Sequence, residues 1–179
     1  MTVFARWPWW LAIFSGMVVF YGSLWLSLAV HESGHFALRR LWHVPPHTIR
    51  IGQGRLVARW GRVEWRILLS SGANIPYAFC SPDLSRSQKI LIYLAGSSAN
   101  GLAGALLLLV AITTSAWLRW GLDGEVIIQL IGLANLIPSR QGSRVSDGLF
   151  VLALWHRLEF LGPNRPCDKN DSIGLHILK

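Results

Sequence analysis

Leu11 to Val30 carries no charged side chain, and the run ends directly on His31-Glu32-Ser33-Gly34-His35. About 20 apolar residues is the length of helix that crosses a bilayer core. Lipid offers no hydrogen-bond partner to an open backbone, so a single segment of this kind must be helical. On a helix, side chains four apart share a face, so His31 and His35 can reach one metal ion with Glu32 beside them. Three fixed residues in five also arise by chance. However, a charged side chain at membrane depth costs roughly 2.5–3.5 kcal/mol, and a cluster of three polar groups there points to a purpose. The pattern is the start of a zinc hydrolase site.

The rest of the composition fits the same setting. Hydrophobic residues make up 52% of 179, and the mean hydropathy is +0.39. Charged residues reach only 15%, against about 25% in globular domains. This is the composition of an integral membrane protein. Trp7, Trp9, Trp10, Trp25, Trp42, Trp117 and Trp120 suit the headgroup level, several lying near the ends of apolar runs. The net charge of +8 is spread among loops with no nucleic-acid module, so lipid headgroups, not nucleic acid, are the expected counterpart. Cys80 and Cys167 lack CxxC spacing and read as reduced thiols. The first apolar run exceeds a signal-peptide core, and cleavage after it would remove the helix that carries the motif, so it reads as retained.

Along the chain, span 1 runs from about residue 9 to 40 and closes on Arg39 and Arg40. A β-rich loop follows over about 45–80, where alternation in Leu56–Trp60 and Val63–Ile67 predicts strands and at least one hairpin. Its last part, Leu68 to Phe79, is apolar enough to dip into the interface. Span 2 covers about 90–117. Gly96, Ser97, Ser98, Gly101 and Gly104 predict a closely packed helix, with Asn100 as its polar exception. A buried Asn serves as readily in helix–helix bonding as in a site. Span 3 covers about 125–161 and is broken at Pro138, where Ser139–Arg144 cannot continue a lipid-exposed helix. Non-helical backbone at that depth is tolerated where it lines a cavity or lies inside protein, so the break points to a site. Residues 162–179 form a polar tail. The expected fold is therefore an α-helical integral membrane protein with three spans in one domain over 1–179, a membrane-associated β-loop between the first two, and a broken third.

Lys and Arg number one before span 1, nine between Arg39 and Lys89, one in the second connection and six from Arg140 onward. The positive-inside rule then places the middle loop, the C-terminus and the motif toward the cytoplasm, with the N-terminus outside. Catalytic zinc takes three protein ligands and leaves a fourth position open. Leu38 and Leu41 stand where the extended HExxHxxGxxH form would continue, so the third ligand comes from elsewhere. Asp123 and Glu125 belong to the opposite face. Glu64 lies in the β-loop, Asp83, Asp168 and Asp171 in connections, and Glu159 beside His156 and Arg157. Asp147 remains, after the break and on the side of His31. A carboxylate at a helix start also complements the dipole, with Ser146 as cap. Pairing with HESGH favours the ligand reading. His43, His47, His156 and His176 lack matched spacing and read as surface or interface residues.

With these motifs the chain resembles the site-2 protease family of intramembrane zinc metalloproteases over about residues 10–160. HESGH at 31–35 corresponds to the family's His-Glu-x-x-His. Asn135-Leu136-Ile137-Pro138 followed by Asp147-Gly148 corresponds to its Asn-x-x-Pro and Asp-Gly. GSSAN at 96–100 sits where the family has a Gly-Pro and an Asn, and residues 49–54 with the following strands resemble its β-element. The resemblance implies one Zn²⁺ per chain on His31, His35 and Asp147, with Glu32 as general base. It also implies Asn135, assisted by Asn100, for holding substrate or oxyanion, and a transmembrane protein as substrate for regulated intramembrane proteolysis. Two features differ from the family. The gap from Asn135 to Asp147 is longer, and Ser97 replaces the Pro. Two other classes stay open. One is a non-catalytic zinc-binding membrane protein acting in regulation or binding, against which Glu32 argues, because a structural site needs no base. The other is a zinc hydrolase of a small amphiphile.

Overall fold

The computed structural model describes residues 8–44, 49–61, 63–68, 84–141 and 144–156. Helix α1, Trp9–Leu41, has 33 residues and is therefore about 50 Å long, more than a bilayer core requires. It closes with His43 in the left-handed region at φ 54. The His43 N–H donates to the Arg40 carbonyl at 3.2 Å and the Val44 N–H to the Arg39 carbonyl at 2.9 Å. These two bonds satisfy carbonyls the helix end would otherwise orphan. Arg39 and Arg40 add positive charge at the negative end of the dipole. Compared with a soluble helix, α1 is inside out. Its buried residues are Ser23, Ser27, His31, Glu32 and His35, while Phe14, Val18, Phe20 and Leu26 are exposed.

Strands β1, Ile49–Ile51, β2, Gln53–Trp60, and β3, Val63–Leu68, form one sheet in the order β1-β3-β2. The expected hairpin is the antiparallel β2–β3 pair, which turns at Gly61 with φ 58. The parallel pairing of β1 with β3, Ile49 opposite Val63, is an addition that alternation alone does not reveal. Glu64 is buried on β3 and accepts from Arg59 and, at 2.9 Å, from Arg66. The two guanidiniums hold its carboxyl below the usual carboxylate range, at about 2. Trp65 packs on Trp25 with ring centroids 5.7 Å apart. The sheet thus folds back along α1.

Helix α2, Arg86–Thr113, starts earlier than expected because Ser85 and Gln88 form a reciprocal capping box. Helix α3, Ala116–Gly132, also starts earlier than the expected third span. Arg119 and Asp123 lie on one face of it as an i,i+4 pair at 3.7 Å, not in a connection. Among the described residues, α1 and α2 are long and apolar enough to cross a membrane. After a 3₁₀ turn, Leu133–Leu136, the expected break at Pro138 is a small hairpin of β4, Arg140–Gln141, and β5, Arg144–Val145. Helix α4, Asp147–Trp155, follows.

The hydrophobic core, Val44, Leu84, Ile92, Tyr93, Val145 and Phe150, joins the end of α1 to α2 and α4. Tyr93 stacks on Phe150 at 4.8 Å and 10°. Arg86, at the start of α2, donates to the carbonyls of Leu154 and Trp155, the last of α4. The apolar stretch 69–79, the end of the third span at 157–161, the tail, both cysteines, His47, His176, Asp83, Glu159, Asp168 and Asp171 lie outside the described residues.

Candidate metal centre

His31 and His35 point the same way from α1, with Nε2 atoms 3.1 Å apart, and are 3% and 5% exposed. Two glycines make room for them. A Cβ at Gly34 would overlap the Ala95 carbonyl of α2, and one at Gly96 would overlap the His35 and His31 rings. The His35 Nδ1–H donates to the Ile92 carbonyl at 2.6 Å. That bond fixes the tautomer and leaves the Nε2 lone pair facing the site.

Asp147 reaches the same point from the far part of the chain. Ser146 closes the β4–β5 hairpin. Its hydroxyl donates to the Ile137 carbonyl at 2.8 Å and accepts from the Ser139 N–H at 2.9 Å. It also caps α4 by accepting from the Leu149 N–H at 3.3 Å. The insert that lengthens the gap after Asn135 is thus folded back on itself, and Asp147 returns to Asn135. A Cβ at Gly148 would run into the Leu136 carbonyl, which accounts for glycine after the aspartate. Asp147 is fully buried, with Oδ2 3.0 Å from His31 Nε2 and 3.3 Å from His35 Nε2. The Asn135 amide donates to the same Oδ2 at 2.6 Å and lies 3.2 Å from His31 Nε2.

Two imidazole nitrogens and a carboxylate oxygen are a donor set of catalytic zinc sites. Ligand bonds of about 2.0–2.1 Å at tetrahedral angles put donor atoms roughly 3.3–3.4 Å apart. The separations of 3.0–3.3 Å here are close to that edge, so the residues fit, and the group can hold a metal ion. Glu32 is buried next to His31, and among the described residues no hydrogen bond engages its carboxylate. Asn100 lies one turn beyond Gly96, its amide against Gly132. Among the described residues its Oδ1 has no hydrogen-bond partner, and no hydrogen bond links it to Asp147. Glu125 turns inward from α3 and accepts from Ser23, two turns along α1 from His31.

Two histidines of α1 and the aspartate that opens α4, buried together with Glu32 beside them, are a group that could hold a metal ion in a mostly helical chain with two helices apolar enough to cross a membrane. Residues 19–159 match the model of Peptidase family M50. The chain belongs to that family, the site-2 proteases, which are zinc-dependent membrane metalloproteases. No curated protein and no solved structure matches it.

Proposed function

We propose that the chain is a zinc intramembrane endopeptidase that cleaves transmembrane segments of other membrane proteins, as regulated intramembrane proteolysis requires. The observation that carries this reading is the convergence of Asp147 on His31 and His35, with Glu32 buried beside them on a helix whose outer surface is apolar. His31, His35 and Asp147 would hold one zinc ion. When bound, zinc supplies a Lewis acid that polarises a carbonyl and brings the pKa of water toward about 7. Glu32 accepts the proton of the attacking water and returns it to the leaving amine. Asn135, already beside the carboxylate of Asp147, donates to the carbonyl oxygen of the bound peptide as negative charge develops there. Asn100 assists from α2.

A helical substrate must unwind before attack, because its peptide groups are bonded internally. Strand β2 is a sheet edge, and an open groove of about 780 Å³ beside it is lined by Trp25, Trp60, Trp65 and Arg66. Strand addition there would hold a substrate extended. Helix α3, the hairpin and α4 together form the broken third span of a single domain. The site faces the cytoplasm with the C-terminus, and the N-terminus lies outside.

Glu32→Gln tests the assignment. It should leave zinc content unchanged and reduce cleavage of a single-span substrate by at least about a hundredfold, the scale of general-base catalysis. A variant that cleaves at the wild-type rate removes Glu32 from the mechanism.

A further inference from the structure

All five buried residues of α1 are polar, and four of them, Ser23, Ser27, His31 and His35, repeat every fourth position. They form one stripe, which continues away from the metal centre for about 12 Å beyond His31. Helix α3 answers it turn by turn. Glu125 accepts from Ser23, and the Ile128 carbonyl accepts from Ser27 at 3.5 Å. Gln129 is 1% exposed, with its Cβ facing Gly104 of α2. Helix α2 adds Ser97 and Asn100, 0% and 2% exposed.

This interface is polar but incompletely bonded. Glu125 Oε2, Gln129 Oε1, Asn100 Oδ1, Ser97 Oγ and Asp147 Oδ1 are buried without a partner among the described residues. Each such atom loses its hydration without recovering a bond if it is left unsatisfied. Four of the five are acceptors that require an N–H or O–H donor, and lipid chains supply none. Water does, and buried waters commonly make about three bonds to groups of this kind. On α3, two residues before Glu125, the exposed side chain of Asp123 pairs with Arg119 at 3.7 Å, a charged turn that belongs in water.

We propose that Ser23, Ser27, Glu125, Gln129 and Asn100 form a built water-binding seam between α1, α2 and α3, leading from the Arg119–Asp123 turn to the metal centre. The seam supplies the water consumed in hydrolysis from the end of the bundle opposite Arg39, Arg40 and Arg86. Its role as a supply route rests on the proposed hydrolytic function, whereas its hydration does not.

The test uses the full chain in liposomes, with Cys80 and Cys167 replaced by Ser, and a charged, water-soluble methanethiosulfonate as probe. Single cysteines replace Ser23, Ser27 and, at the same depth on the lipid face, Leu26. Thiols at 23 and 27 should react at least tenfold faster than the thiol at 26, and Gln129→Leu should slow the reaction at 27. Equal rates at all three positions overturn the seam. In the unsubstituted chain with ¹⁵N-glutamine, water-edited NMR should transfer magnetisation from water to the Gln129 side-chain amide as fast as to that of Gln88 in the first turn of α2. Transfer as slow as in the lipid-facing core also overturns it. Labelling at 23 and 27 in a chain that cleaves no peptide leaves the seam standing and removes the protease reading.

Discussion

At the scale of residues, the centre depends on what two glycines leave out. A methyl group at position 96 would occupy the space of both histidine rings, so Gly96→Ala should abolish stoichiometric zinc binding while α2 still forms, as metal analysis and circular dichroism would read. Asn135→Ala separates two duties of one amide. Loss of its bond to Asp147 Oδ2 should weaken zinc by about 10–100-fold, as for other groups that orient a ligand. Loss of its contact with substrate should lower kcat at saturating zinc. Both losses are expected, so a variant with native zinc affinity and native kcat would remove Asn135 from the site.

Elements explain which parts of this architecture could be read from the chain. HESGH was legible because its geometry is local, since four residues on a helix fix a shared face. Asp147 was reachable by elimination among the nine acidic residues. The Ile92 carbonyl that orients His35 left no trace, because any residue supplies a carbonyl. The parallel β1–β3 pair and the β4–β5 hairpin are too short to show a period. Arg119 and Asp123 fall before the span expected from about residue 125 because their charge interrupts the apolar run, although i,i+4 pairing allows both on α3. Ser23 and Ser27 share the spacing of the histidines, but an uncharged serine inside an apolar run carries no signal of burial. Within the sheet, Glu64 carries a pH prediction. Its folded pKa, about 2, lies below the ordinary 4.5, so its contribution is complete above about 4.5 and is lost as pH falls toward 2. Hydrogen exchange of β2–β3 amides should therefore be flat from pH 7 to 5, after correction for intrinsic rates, and lose protection below that. Glu64→Gln should remove the transition.

For the whole molecule, α1 keeps its polar residues buried and its apolar side chains exposed, and the candidate metal centre lies among those buried groups. Chains that bind zinc only when folded are stabilised by it, so a chelator should lower the thermal midpoint of the wild type and leave that of Asp147→Asn unchanged. The skew of Lys and Arg toward the middle loop and C-terminal part predicts that a C-terminal tag stays protected from external protease in intact cells. Digestion of the tag there would invert the orientation. The central claim is that this centre cuts a peptide bond inside a membrane segment. Mass spectrometry of the products from a single-span substrate, incubated with the zinc-loaded chain in liposomes, tests it most directly. The expected product is a cut within the apolar segment, absent with Glu32→Gln at equal zinc content. No cut, or a cut confined to residues outside the segment, would contradict it.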